Sequence, residues 1–233
     1  MGKVIMSGIV PILSVPTTTK PNFADNTWAQ IIKACQTNRI PDTWAVGNQK
    51  TMNIGGTDYA IDIIGKNHDT YSAGGTAPLT FQMHDCYVTD YAMNSSNTNV
   101  GGWTSCAMRT THLPAILALM PSEVQNGIRE VNKLTSAGNE SKIIKTTADK
   151  LFLLSEIEIF GYIYHSTQGE GTQYDYYKTG NNSVKNHNGS GAYWWERSPT
   201  NNSAKNFCVV EITGQDAAIS ASNAWGVAFA FCF

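Results

Sequence analysis

Trp194-Trp195-Glu196-Arg197-Ser198-Pro199 stands inside the most polar part of the chain, and Gly226-Val227-Ala228-Phe229-Ala230-Phe231-Cys232-Phe233 closes the sequence. Between Thr179 and Asn206 seven asparagines are interleaved with Gly, Ser and Lys, the composition of exposed, irregular chain. Two adjacent indoles do not belong in such a linker. They supply large apolar area to lie beneath polar loops, and the fork of N–H donors on Arg197 can hold those loops by their carbonyls without secondary structure. This element therefore reads as scaffold. After it, residues 207–212 read as a strand, Thr213-Gly214-Gln215-Asp216 as a turn, 217–221 as a weak return strand and 226–233 as the last strand.

Working towards the N-terminus, residues 27–37 form a helix capped by Asn26 or Thr27, with Trp28, Ile31, Ile32 and Cys35 on one face. A β section follows in Trp44-Ala45-Val46-Gly47, 50–54 and 59–65, with Ile54-Gly55-Gly56-Thr57 as its turn and Tyr59, Ile61 and Ile63 on one face. Residues 79–83 read as a short strand and 90–102 as a loop. The stretch 103–119 reads as helix restarted at Pro114, and Pro121-Ser122-Glu123 opens another helical turn. Asn132-Lys133-Leu134 and Leu151-Phe152-Leu153-Leu154 read as strands. Glu156 and Glu158 alternate with Ile157 and Ile159, the pattern of a strand with one solvated face. No internal repeat or interdomain linker is present, so residues 26–233 are expected to form one α+β domain behind an N-terminal arm or strand at 1–25.

The 233 residues are long enough for a sizeable core. Only 15% of residues are charged, against about 25% in soluble domains, while mean hydropathy is −0.24. Asn, Thr, Ser and Gly replace the missing charge. A net charge of −2 leaves no basic footprint for nucleic acid, and no apolar run is long enough to insert in a membrane. Gly8 and Pro11 interrupt the mildly apolar opening, and no cleavage site follows, so no signal peptide is read there. The five cysteines are odd in number and scattered without a CxxC pair, which points to buried free thiols.

The sequence contains no GxSxG elbow, Walker loop, dinucleotide fingerprint or HExxH. His68-Asp69 and His84-Asp85 are the pairs that could share a metal if their strands adjoin, although nothing in their spacing demands it. The expectation is a protein with no catalytic residues, metal or cofactor.

Several short signatures follow one another in a fixed order: Trp44-Ala45-Val46-Gly47, Ile63-Ile64-Gly65-Lys66-Asn67-His68-Asp69, Gly101-Gly102-Trp103-Thr104-Ser105-Cys106-Ala107-Met108-Arg109, Asp149-Lys150-Leu151-Phe152-Leu153-Leu154-Ser155, Trp194 to Pro199, and Gly226 to Phe233. Across residues 28–233 this set resembles the C-type-lectin-like domains of phage tail and bacterial surface proteins, including the variable proteins of diversity-generating retroelements. The resemblance implies an α+β C-type lectin-like fold with paired N- and C-terminal strands, small mixed or antiparallel sheets, two flanking helices and long irregular loops. It also implies a ligand-display region at about 180–233 and a scaffold of Trp103, Arg109, Trp194, Trp195 and Arg197. Two positions depart from the family pattern. Ala228 and Phe229 stand where Arg and Pro are common, and Glu196 replaces an apolar residue.

Retroelement variation replaces adenines, so an Asn codon of the form AAY can become Ala, Phe, Tyr, Ser, Asp or Gly, but never Trp, Lys, Glu or Gln. On that rule Asn201, Asn202, Asn206, Ala217, Ala218, Ser220, Ala221, Asn223, Ala228 and Phe229 can vary, while Trp225, Gln215 and Glu196 are invariant; with Tyr193 and Trp225 added as exposed aromatic contacts, the variable residues make up the candidate ligand-binding positions. The oxygen-rich loops of calcium-dependent sugar-binding members are absent. The resemblance thus implies receptor recognition at a virion tail or cell surface, with a host or partner surface protein, or a glycan, as ligand. Homo-oligomers or tail-fibre assembly are compatible with it. The alternatives are a structural tail or surface-layer subunit with contacts through Val4 to Val15, and a formylglycine-generating-type oxidase in which Cys208 and Cys232 meet across strands.

Overall fold

A computed structural model describes residues 18–233, so the arm expected at 1–25, including Val4 to Val15, lies largely outside the described residues. The chain is a mixed α+β fold with several short antiparallel sheets and a few helices. In chain order the strands are β1 (Gln49–Ile54), β2 (Thr57–Lys66), β3 (Leu79–Met83), β4 (Tyr91–Ala92), β5 (Val131–Ser136), β6 (Ile144–Asp149) and β7 (Leu151–Phe152). They continue with β8 (Lys185–His187), β9 (Ser190–Ala192), β10 (Trp194–Pro199), β11 (Asn206–Val210), β12 (Asp216–Ser220), β13 (Ala224–Trp225) and β14 (Ala230–Cys232). The helices are α1 (Trp28–Gln36), α2 (Gly102–Ser105), α3 (Leu113–Leu117), α4 (Ser122–Gly127), α5 (Glu156–Phe160) and α6 (Asp175–Lys178).

The central sheet runs β1-β2-β3-β14-β7, which sets the C-terminal strand between β3 and β7. The resemblance implied pairing of N- and C-terminal strands; an N-terminal strand within 1–25 lies largely outside the described residues, and the first described strand, β1, is at the edge of the sheet. Phe81 on β3 faces Phe231 on β14 in register, their rings stacked with centroids 5.4 Å apart, and Phe233 and Trp28 close around them. Aromatic pairs of this kind add about 0.5–1.5 kcal/mol beyond the area they bury. The apolar stripe of α1 packs on this sheet, and its Thr27–Gln30 capping box satisfies the first-turn donors. Besides α1, a π-helical stretch at Met108–His112 runs straight into α3, so residues 107–117 form a second helical segment that continues through Pro114.

Further elements differ from the sequence reading. Trp44-Ala45-Val46-Gly47 is a turn whose Trp44 ring is fully buried and whose Nε1–H donates to Lys20 O. Only Ala230–Cys232 of the terminal run is strand, although Val227 to Phe229 stay buried and the Val227 and Phe229 carbonyls accept from the Tyr87 and Met83 N–H groups. The segment 90–102 contains β4, which pairs with β13, and the Asn-rich 179–206 contains the β8–β9 hairpin and β10. Glu156 and Glu158 lie in α5, both buried. Ser155 caps α5 in a box with Glu158, a local helix signal that outweighs the period-two alternation of isoleucine. The five cysteines are free and buried.

Two glycines fix where the loops meet. Gly102 (φ +55°) and Gly138 (φ +69°) bring the loop before α2 against the turn after β5, and a Cβ at Gly138 would lie 1.8 Å from Asn99 O. Neither strain nor clash can be relieved, since the obstacle is backbone. Gly138→Ala is expected to destabilise by about 2–4 kcal/mol, read as a lower urea midpoint. Gly74→Ala, also at positive φ but in open space, should cost only about 1 kcal/mol.

Candidate functional site

All six residues of β10 are buried, and the two indoles, Arg197 and Ser198 spend their polar groups on neighbouring segments, whereas Glu196 does not. Trp194 Nε1 donates to Ser183 O at 3.0 Å and Trp195 Nε1 to Tyr91 O at 2.7 Å, tying the strand to both sides of the C-terminal region. Arg197 is fully buried and donates to the carbonyls of Leu134, Leu153 and Glu170, to Thr135 Oγ1 and to both carboxylate oxygens of Glu158. Glu158 also receives Lys133 Nζ at 2.7 Å, and Lys133 reaches Asp69 Oδ1 at 2.8 Å and Tyr174 Oη at 3.0 Å. Two cations and two carboxylates thus neutralise one another inside the protein, with hydrogen bonds to spare, which is the condition for tolerating buried charge.

The carboxyls respond to this setting in opposite directions. Burial pushes Asp69 up, but the Lys133 charge and hydrogen bonds from Lys133 and Thr80 outweigh it and hold Asp69 at about 2. Glu158 is likewise pushed up by burial and brought below its ordinary value by Arg197 and Lys133. Glu170 has no cation bound to it: burial raises it to about 7 although Ser198 and the Ser136 N–H donate to its oxygens. Glu196 is pushed well up, first by burial and then by Glu156 and Glu170, and neither of its oxygens has a partner among the described residues. This is the acid standing where the family resemblance expects an apolar side chain.

The other expected scaffold residues converge on one carboxylate. Trp103 Nε1 donates to Asp149 Oδ2 at 2.9 Å and Arg109 Nε to Asp149 Oδ1 at 2.5 Å. The close approach expected of Gly101-Gly102 is present at Gly102, where a Cβ would meet Ser136 O at 2.2 Å.

Among the candidate contact positions, Tyr193, Asn201, Asn202, Asn206, Ala217, Ala218, Ser220, Asn223 and Trp225 are exposed or half-buried. Ala221, Ala228 and Phe229 are fully buried. These three are corrected from contact to core positions: Phe229 packs near Phe231, and the Ala228 carbonyl accepts from Gln82 Nε2 inside the core. The exposed positions fall in two groups. Asn206 lies opposite Ser220 across β11 and β12, beside the Asn201–Asn202 turn. Tyr193 and Trp225 pack ring to ring at 5.0 Å at the other end of β10, where Trp225 faces Tyr91 across β13 and β4. The Trp225 Nε1–H is enclosed without an acceptor among the described residues.

His68 stacks on Tyr174 with centroids 3.9 Å apart, and His84 Nδ1 meets Asp62 Oδ2 at 2.8 Å, so the two His-Asp pairs do not converge. Among the described residues no group of three or more His, Cys, Asp or Glu is placed to hold a metal ion. Cys208 lies on β11 and Cys232 on β14, in different sheets, so they do not meet across strands. A cleft of about 300 Å³ opens beside His68, Asp69, Lys133 and Glu158. The charged groups there pair with one another rather than with the cleft.

The family described as "Domain of unknown function (DUF6273)" matches residues 80–233. The chain belongs to that family. Neither the curated proteins nor the solved structures contain a match to it. The DUF6273 segment includes Arg197, Glu158, Lys133 and all the candidate contact positions, but the preceding residues contribute β1, β2, α1 and Asp69. No described helix is long and apolar enough to cross a membrane.

Sequence reasoning found Arg197 and its carbonyl-holding role but missed its carboxylate partner. It also missed Asn99, buried in what reads as loop, whose Nδ2 donates to Ser203 O and Asn206 O at 2.7 Å and whose Oδ1 accepts from Asn139 N–H. Asn99 fixes the turn that carries Asn201 and Asn202; its only sequence signal is the adjacent Gly101-Gly102.

Arg197→Ala leaves Glu158 with a single cation in a dry interior and is expected to destabilise by about 3–5 kcal/mol in chemical denaturation. Glu170 gives the pH dependence. Between its ordinary 4.5 and about 7 the folded protein keeps a proton that the unfolded chain has released, so this group lowers stability as pH rises through that window and adds no further change above it. Glu170→Gln, measured against the natural protein, should gain relative stability by about 3 kcal/mol from pH 4.5 to pH 7. Parallel stability curves would contradict this assignment.

Proposed function

We propose that the chain is a ligand-binding display protein: a C-type-lectin-like scaffold, of the kind diversified by retroelements, whose C-terminal region recognises a receptor at a phage tail or cell surface. The observation that carries this reading is the division of labour around β10. The strand itself is buried and bound on all sides, while Tyr193, Asn201, Asn202, Asn206, Ala217, Ala218, Ser220, Asn223 and Trp225 around it are exposed or half-buried. Side chains placed in this way can change without disturbing the core, which is what a surface selected for new partners requires. Tyr, Trp, Asn and Ser combine rigid aromatic contact with adaptable hydrogen bonds, the chemistry of antibody loops. The ligand is a host or partner surface protein, or a glycan, held by short-range contacts.

Replacing Tyr193, Asn202, Asn223 and Trp225 together with alanine is expected to weaken binding to the host surface by about a hundredfold or more. The melting temperature should fall by only a few degrees. Loss of folding in that variant, or a steep dependence of binding on salt, would overturn the reading. Its genetic part has a separate test: flanking DNA should hold a near-copy of the codons for residues 190–233, differing only at adenines, beside a reverse transcriptase gene.

A further inference from the structure

The three-stranded sheet β10-β11-β12 ends on β12, whose outer edge is unpaired among the described residues. Its hydrogen-bond phase can be read from both ends. Glu211 N–H donates to Gln215 O at 2.7 Å, and Ala221 N–H donates to Lys205 O at 2.9 Å. In an antiparallel ladder bonded residues alternate, so Gln215, Ala217, Ile219 and Ala221 turn their backbone groups towards β11. Asp216, Ala218 and Ser220 turn theirs outward, where only the Ser220 carbonyl has a partner, the Asn223 N–H at 3.1 Å.

Apart from Asp216 at its start, which Tyr162 and His165 approach, nothing among the described residues blunts this edge. The Asp216–Ser220 strand contains no Lys, Pro or register break, and the residue at its centre is alanine. The opposite extreme is β1, the edge of the central sheet, where Trp28 Nε1 donates to Thr51 O and Lys50 Nζ to Ala24 O, so that neighbouring segments cover it.

We infer that β12 pairs antiparallel with β12 of a second copy of this chain, joining the two three-stranded sheets across a two-fold axis at Ala218. The strand is its own complement. About that axis each Ala218 offers its free N–H and C=O to the other, Ala217 lies across from Ile219, and Asp216 lies across from Ser220, so no like charges meet. The Asp216 carboxylate is already engaged by Tyr162 Oη at 2.9 Å and lies 3.6 Å from His165 Nε2. With a net charge of −2 per chain, two copies repel only weakly. Tyr162 is 51% exposed and is anchored at the Asp216 end, which places it beside the Ser220 end of the other copy and adds apolar area to the backbone pairing. The pairing engages the β12 backbone and draws in Ala217, Ala218 and Ser220 from the candidate contact positions, leaving Tyr193, Asn201, Asn202, Asn206, Asn223 and Trp225 outside the seam.

Light scattering and sedimentation on the full chain at micromolar concentration should give twice the 25.4 kDa chain mass. Ala218→Pro removes an outward N–H while leaving the bonds to β11, so it should weaken the dimer by about tenfold or more with near-ultraviolet circular dichroism unchanged. Ser220→Asp sets a carboxylate opposite Asp216 and should weaken it similarly, and adding Asp216→Lys to that variant should restore the dimer. The restoration guards against simple misfolding of either single variant. A monomer at all concentrations, or a dimer that survives both single substitutions, overturns the proposal.

Discussion

The double contact between Arg197 and Glu158 is the interaction on which the rest of the C-terminal architecture depends. A guanidinium with no solvent contact must find acceptors for its whole fork of donors. Here they come from β5, from the segment after β7, from α5 and from the loop at Glu170, elements far apart in sequence. One side chain thereby does what a sheet does elsewhere: it satisfies the backbone of irregular segments and sets their spacing. Its charge then requires Glu158 to be ionised, and the second cation, Lys133, carries the balance to Asp69 and the region before residue 80. The DUF6273 segment and the preceding β1, β2 and α1 are therefore joined electrostatically as well as by the β2–β3 ladder.

The sequence makes some of this legible because the signals are local. The α1 helix, β3 and the β11–β12 hairpin each carry their own periodicity and caps or turns, and the aromatic content of Trp194-Trp195 marks β10 as scaffold within an Asn-rich stretch. Illegible were the places where long-range packing decides. Ile157 and Ile159 suggest a strand until Ser155 and Glu158 are recognised as a reciprocal cap. Ala228 and Phe229 can occupy positions open to codon variation and still be core, because the chain between β13 and β14 stays buried and bonded to Gln82 and Met83 on β3. The partners of Arg197 lie 27 to 63 residues away in sequence, and no spacing rule reaches that far.

The shortage of charge acquires a physical location in the structure. Several of the ionisable side chains that this low-charge protein does possess, Asp69, Lys133, Glu156, Glu158, Glu170, Lys185, Glu196 and Arg197, are buried. The exposed candidate contact positions carry amides, hydroxyls, alanines and aromatics and no charge.

The five buried thiols make a set of built-in timers. Burial pushes Cys35, Cys86 and Cys106 up to about 12 and Cys208 and Cys232 well above the ordinary thiol value, so at neutral pH the folded protein presents essentially no thiolate to a reagent. A thiol can then be alkylated only when its own surroundings open. Cys35 sits in α1, Cys106 just after α2, Cys208 in β11 and Cys232 in β14. The order in which a thiol reagent reaches them is the order in which the helix, the loop after α2, the three-stranded sheet and the central sheet let go.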